Sequence, residues 1–241
     1  MSYIIQKRSN QLSDKEKNQL IILIKRYYPF CSQGFIDNRI SESCKSDIVL
    51  LKNKDMVLGA SYYTVDKFKT PFFNKKTPVV EFGQAFKKAG YKGNIIWRMG
   101  HWYAQRNIGY IYPIKRTVGF SMIGSPKVFE NFTKSFKNHY PNLQSNKLGK
   151  DTSIVSFLEN IYKKKGLKLN SDLNHCFVKM DFKPIDITND WERYYKSNNE
   201  LINTFFIENE IIKFEGNKIY DNNLALIVCG YRNPLGLSCH Y

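Results

Sequence analysis

The stretch VVEFGQAFKKAGYKGNIIWRMGHWYAQR, residues 79–106, constrains the fold more than any other. It opens as a β-type apolar run, breaks at Gly90 and Gly93 among lysines, and continues with a helical period. A second buried strand, TVGFSMI at 117–123, follows it. A strand–helix–strand step closes as a right-handed crossover between parallel strands, so this part of the chain calls for a layered arrangement of helices on a sheet. The turn itself has two readings. Glycines beside cationic side chains at a helix start leave backbone N–H groups open to an anion. The plainer reading is a helix start that packs on a sheet and holds nothing.

The segments around this step fill in the fold. Residues 13–28 form a helix whose start is marked by Ser13 and Glu16 as a capping box, with Leu20, Ile21, Ile24 and Tyr28 on one face and Pro29 as its stop. Two β-type runs, 47–52 and 56–65, flank the turn NKD and read as an antiparallel hairpin, with Gly59 placed for a bulge or a close backbone approach. TPFFNKKTP reads as a loop. A further helix, capped by Ser125 with Pro126 at its first position, buries Val128, Phe129, Phe132 and Phe136 and runs to Pro141. Beyond a polar stretch at 142–153, a short helix (152–165), a strand (176–182), a helix (190–209) and a buried strand (222–231) follow. The hairpin demands antiparallel pairs and the crossover a parallel one. The expected class is therefore α+β, in α/β/α layers on a mixed, mostly antiparallel sheet. The expected domains are a core over 1–141 and a C-terminal helix/strand extension over 142–241 packed on it, with one continuous domain as the alternative.

Composition narrows the function classes. The chain has 241 residues and a net charge of +16. That charge favours anionic partners such as nucleic acid, phosphorylated cofactors or an acidic carrier protein; lysines spread along a biased sequence explain it equally well. Five cysteines, an odd number with no C-x-x-C pair, fit a reduced cytoplasmic compartment. No apolar run is long enough to span a bilayer. No His/Cys grouping has the spacing of metal ligands; His175 and Cys176 are adjacent, so on a strand they face opposite sides. His101 is a lone helical histidine. Aromatic residues interleaved with lysine, as in KRYYPF and FTKSFKNHY, suit either nucleic acid or the wet face of ordinary amphipathic helices.

The order of elements over about 47–141, with the helix at 13–28 before it, resembles the GNAT (GCN5-related N-acetyltransferase) superfamily. YKGN resembles that family's Y-R-G-x-G turn, and SPKVFENFTKSF its helix after the fifth strand. The whole chain is similar to a group of bacterial GNAT-like proteins, with Gly83-Gln84-Ala85, Tyr91-Lys92-Gly93, Tyr140-Pro141, Phe205-Phe206-Ile207-Glu208-Asn209 and LALIVCG in matching places. The Asp and Thr that follow the first glycine in that group are absent here.

The resemblance implies an N-acyltransferase. Its donor would be acetyl-CoA, another acyl-CoA or an acyl chain on an acyl-carrier protein, and its acceptor an amine. Donor phosphates would meet Lys92, Gly93, Asn94 and Ile95, with Phe86 and Ser125 as further donor-binding positions. Ile95 and Trp97 stand where the family carries glycine or a small residue. Glu81 takes the place of the family's general base on the central strand; its plainer reading is a solvated or ion-paired glutamate. The family's general acid is a tyrosine on the last core helix. Phe132 occupies that place and has no proton to give. Tyr140, two turns further on, is the tyrosine candidate, with a cap to the helix packing as its plainer reading; a different acid, water or lost catalysis are the alternatives. The alternative is a protein that keeps the fold and binds or modifies nucleic acid through its basic surface.

Overall fold

The computed structural model describes residues 2–91, 95–110, 115–143, 152–164, 177–180 and 182–232. The class is α+β: a mixed, mostly antiparallel sheet flanked by helices, with a separate three-stranded sheet. The chain divides into two compact units, one of residues 1–66 and 80–115, the other of 67–79 and 116–241. These divisions do not fall at the expected boundary after Pro141.

The first unit holds β1 (Ser2–Lys7), α1 (Asp14–Tyr27), α2 (Gln33–Ile40), β2 (Asp47–Asn53), most of β3 (Met56–Thr70), the later half of β4 (Phe73–Lys87) and α3 (Ile95–Ile108). β2 pairs antiparallel with β1 and with β3. The β2–β3 register shifts beside Gly59, where Leu51 faces Gly59 and Lys52 faces Val57, so Leu58 is the extra residue of a bulge. The turn at Asn53–Asp55 carries Lys54 at φ 51°.

Sheet alternation sends Val49, Leu51, Tyr63 and Val80 to one face, where they meet Met99 and Tyr103 of α3. Tyr103 stacks on Tyr63 at 4.8 Å and donates its hydroxyl to Asp47 at 2.7 Å. Arg8 closes on the other Asp47 oxygen at 2.9 Å. The opposite face carries Tyr62 and Phe86 beneath Tyr27 and Tyr28 at the end of α1. The expected capping box of α1 is present: Ser13 N–H donates to Glu16 and Glu16 N–H to the Ser13 hydroxyl. Glu16 is buried and its two oxygens each take a lysine at 2.7 Å, Lys7 from β1 and Lys52 from β2.

The second unit holds the β3–β4 hairpin tip, β5 (Thr117–Ile123), α4 (Pro126–Ser135), β6 (Asn138–Tyr140), α5 (Thr152–Lys164), β7 (Phe177–Lys179), β8 (Ile185–Asp186), a wide helical turn at Trp191–Tyr195, α6 (Glu200–Glu208), β9 (Ile212–Glu215), β10 (Lys218–Asp221) and β11 (Leu224–Arg232). β11 pairs antiparallel with β5 on one side and with β6 and β7 on the other. The last strand is thus a central one. One face of β5 and β11 buries Val118, Phe120, Ile227 and Cys229 under Ile154, Phe157, Leu158 and Ile161 of α5.

Several expected segments change. TPFFNKKTP is the tip of a hairpin whose strands run 15 residues each, not a free loop. The helix at 190–209 breaks into the turn at Trp191–Tyr195 and α6, because side chains take the backbone donors between them: Asn203 accepts from the Ser197 N–H (2.9 Å) and Glu130 of α4 from the Asn198 N–H (3.1 Å). α4 ends at Ser135 rather than continuing to Pro141, so Tyr140 lies on a strand.

The reason for that early end is steric. Gly119 of β5 and Gly230 of β11 face each other in register. A Cβ at Gly119 would sit 2.3 Å from the Phe136 ring, and one at Gly230 2.5 Å from the Phe136 Cβ. The glycine pair is the slot into which Phe136 drops as α4 stops.

Two sets of outcomes follow. Gly119→Ala and Gly230→Ala should each destabilise the chain by about 2–3 kcal/mol. Gly230→Ala is expected to cost more, because it meets the rooted end of the side chain. Combining either with Phe136→Ala should be clearly less than additive in urea unfolding. The second set concerns two buried carboxyls of opposite sign. Burial raises the Glu16 carboxyl, but Lys52, Lys7 and the Ser13 N–H outweigh it and bring the pKa down to about 2. Its stabilisation is present above the unfolded value and is lost as pH falls from about 4.5 toward 2. Burial pushes Asp221 up to about 7, against a single lowering contact from the Asn223 N–H. Its folded form therefore loses stability as pH rises from 3.8 to about 7. Glu16→Gln should cost about 2–3 kcal/mol at neutral pH and little at pH ~2. Asp221→Asn should stabilise above neutrality and be nearly silent in acid. Melting temperatures across pH check both.

Candidate active site

β4 carries the candidate base, and its side-chain alternation slips once. Val80 and Phe82 pack on the α3 face, Phe82 against Tyr63 at 6.0 Å. Strict alternation would send Gln84 and Phe86 to that face too. Instead Gln84 reaches Tyr28 and Arg39, and Phe86 packs on Tyr27, Tyr28 and Tyr62. The slip falls at Gly83, where a Cβ would lie 2.8 Å from the Tyr62 carbonyl oxygen. A side chain there would push β4 off β3, so glycine allows the close approach.

Glu81 accepts a hydrogen bond from the Thr64 hydroxyl at 2.8 Å. Thr64 and Tyr62 are two apart on β3 and share a face. Glu81, Tyr62 and Gln84 therefore lie on the same side of the sheet, with α1 and α2. Glu81 is half-buried.

Phe86 is fully buried among tyrosine rings, and its side chain belongs to the core of the first unit. That is a correction to its expected part as a donor contact. Tyr27 donates its hydroxyl to the Lys87 carbonyl at 3.3 Å, and Lys88 N–H pairs with the Leu58 carbonyl at 2.8 Å, fixing the strand's exit toward the turn. Lys92, Gly93 and Asn94 lie outside the described residues. Ile95 opens α3, and its side chain lies outside them as well. What brackets the turn is cationic: Lys87 and Lys88 before it, an exposed Arg98 after it.

In the second unit, Ser125 stands at the N-cap position of α4, yet its side chain makes no cap bond and donates to the Tyr195 carbonyl at 3.4 Å. Its backbone carbonyl does start the helix, accepting from Phe129 N–H at 3.0 Å. Tyr140 is half-buried on β6, opposite Cys229 of β11. His101 lies exposed on α3 with its ring nitrogen 3.2 Å from the Gln105 amide. His175 and Cys176 lie outside the described residues. Among the described residues no three His, Cys, Asp or Glu side chains gather as metal ligands, and no helix is long and apolar enough to cross a membrane.

Sequence reasoning missed the group that sits beside Glu81's face: Tyr28, Arg39, Tyr62 and Gln84. Arg39 comes from α2, which the pattern search passed over. The available signal was Ser32, whose hydroxyl caps Phe35 N–H at 3.0 Å, followed by Phe35, Ile36, Arg39 and Ile40 at helical spacing.

No family model and no curated sequence matches the chain. Among solved structures it is similar in part to ElaA of Escherichia coli, at 14% identity and TM-score 0.37 over 58% of this chain and 88% of that one. An aminoglycoside acetyltransferase from an uncultured soil metagenomic sample matches at 12% identity and TM-score 0.37, over 56% of this chain and 86% of its own. The ribosomal-protein-alanine N-acetyltransferase of Brucella melitensis biovar Abortus matches at 7% identity and TM-score 0.33, over 44% and 71%.

Proposed function

We propose that this protein is an N-acyltransferase of GNAT type that moves an acyl group from a thioester to an amine. The observation that carries the reading is Glu81: a half-buried carboxylate on the strand that leads into the glycine–lysine turn, steadied by Thr64 on a face it shares with a cluster of polar side chains. The order β4, turn, α3, β5 supports it, as does the cationic bracket around the turn.

Acyl-CoA, when bound, supplies the thioester; an acyl-carrier protein is the second donor proposed, since a net charge of +16 steers an acidic carrier to this surface. Lys92 and the backbone N–H groups at Gly93, Asn94 and Ile95 are the proposed phosphate contacts. Glu81 takes the proton from the attacking amine, directly or through one water. The Thr64 hydroxyl donates to one Glu81 oxygen and helps to orient the carboxylate. The new C–N bond forms as the C–S bond breaks, and the departing sulfur takes up one proton, for which Tyr140 is the proposed source. Ser125 keeps only a backbone part, at the start of α4.

A second reading, binding of nucleic acid, draws on a different surface. Arg98, His101, Trp102 and Gln105 of α3, with Ile4 of β1, line a shallow depression, and Arg106 lies 5.5 Å from the Trp102 ring. Cationic and aromatic side chains in alternation are the chemistry of a strand-stacking surface.

Saturating acetyl-CoA is expected to raise the melting temperature by several degrees. Replacing Gly93 with a bulky residue should abolish that rise. Glu81→Gln should keep it while lowering thiol release across a panel of amines by about 100-fold or more. No rise with any acyl-CoA, together with nucleic-acid binding that weakens steeply with salt, would replace the first reading by the second.

A further inference from the structure

Arg39 and Tyr62 offer hydrogen-bond donors to an acceptor that the described residues do not supply. Arg39 leaves the last turn of α2 toward the sheet. Its Nε donates to Gln84 Oε1 at 2.5 Å, one Nη donates to the Phe35 carbonyl at 2.6 Å, and the guanidinium lies 3.3 Å over the Phe35 ring. The other Nη has no partner among the described residues. The ionisable groups that act on Arg39 most strongly are Tyr62, Tyr28, Cys44 and Cys31, none of them a carboxylate. Tyr62 is only 5% exposed, and its hydroxyl has no hydrogen-bond partner among the described residues.

A guanidinium drawn out of water without a carboxylate is costly, and so is a buried O–H without an acceptor. One oxyanion answers both. The guanidinium and the phenol are donors, and a planar carboxylate presents two oxygens to them. A single Arg cation also matches a monoanion; a dianion would leave a surplus charge beside buried rings.

We propose that Arg39 and Tyr62 form the anion-binding end of the acceptor site, and that the acceptor is a small amine bearing a carboxylate. The amine end rests on the acyltransferase reading of Glu81; the carboxylate end stands on the donor cluster alone. Tyr62 and Thr64, which holds Glu81, are two residues apart on one face of β3, about 7 Å along the strand. The two charged ends of the acceptor are therefore separated by several bonds, as in an ω-amino acid, rather than by the single carbon of an α-amino acid. Gln84 sets the guanidinium, with its amide carbonyl on Nε and its amide N–H on the Tyr28 hydroxyl at 3.3 Å.

The full chain is titrated with 6-aminohexanoate and, separately, with 6-aminohexanamide, which keeps the amine and lacks the charge. The Arg39 Nε–H resonance and the melting temperature are followed. The acid should shift the resonance and raise the melting temperature; the amide should do neither. Arg39→Gln should abolish the response. Tyr62→Phe removes a hydroxyl that has no partner, so the free protein should be as stable as before or more so, while the acid binds about tenfold more weakly. Equal responses to acid and amide, no response to either, or an unchanged affinity in Tyr62→Phe would each overturn the inference. Acetyl-CoA titrated into the same sample separates the two proposals. A donor response without a carboxylate response removes the acceptor assignment and leaves the transferase. A carboxylate response without a donor response leaves an anion site and removes the transferase.

Discussion

The close approach of β4 to the Tyr62 carbonyl at Gly83 is the constraint on which the candidate site depends. Without it, side chains on β4 would alternate throughout, and residues three apart would face opposite ways. Glu81 and Gln84 would then stand on opposite faces. Because alternation slips at Gly83, Glu81 meets Thr64 while Gln84 meets Arg39 and Tyr28 on the same side. Phe86 follows Gln84 and seals the cluster from beneath with Tyr27 and Tyr62. One missing Cβ thus sets the neighbourhood of a carboxylate, an amide and a guanidinium.

The first unit treats its buried charges in two different ways, and the contrast carries meaning. Glu16 is buried with two lysines at 2.7 Å and the N–H of its own cap residue, so each oxygen is answered. It ties α1 to β1 and β2 and has nothing left to offer. Asp47 is likewise closed by Tyr103 and Arg8. Arg39 has a carbonyl, an amide oxygen and an aromatic face, but no opposite charge. Glu16 and Asp47 are completed within the fold, whereas Arg39 lies beside an unanswered hydroxyl, and that contrast is the ground for the inferred acceptor site.

Local chemistry was legible in the sequence wherever a residue type has one strong preference. Ser13 and Glu16 announced the start of α1, Pro126 that of α4, and the glycine–lysine turn the passage from β4 to α3. Gly59 marked a bulge that does sit beside it. The misses share a cause. β1 is six residues with no fully buried side chain, and α2 is eight residues with Gly34 in its first turn, so neither shows a period long enough to read. The hairpin tip looked like a loop because three polar residues in a row, Asn74, Lys75 and Lys76, are exposed and break the strand alternation. Glu81 could be named from its strand, but Arg39 could not be joined to it, since 42 positions separate them and only the pairing of strands brings α2 over β4.

The C-terminal strand makes the same point for the second unit. LALIVCG reads as buried, and it is, yet nothing local says that β11 enters between β5 and β6. What selects that place is a fit between distant residues. Gly119 on β5 and Gly230 on β11 come into register and together leave a strip of bare backbone. Phe136 lies on that strip, stacked on Phe132 at 4.8 Å, with the Arg232 guanidinium 5.4 Å from its ring. A two-residue slip of β11 would place a side chain, Val228 or Arg232, where the ring must lie. Phe136 therefore does three things: it ends α4, it fixes the register of β11 against β5, and it sends residues 138–140 back along β11 as a strand. That is why Tyr140 leaves the helix on which the sequence placed it. The general acid proposed for the reaction is thereby held by a strand whose position depends on two glycines, about 20 and 90 residues away in the chain.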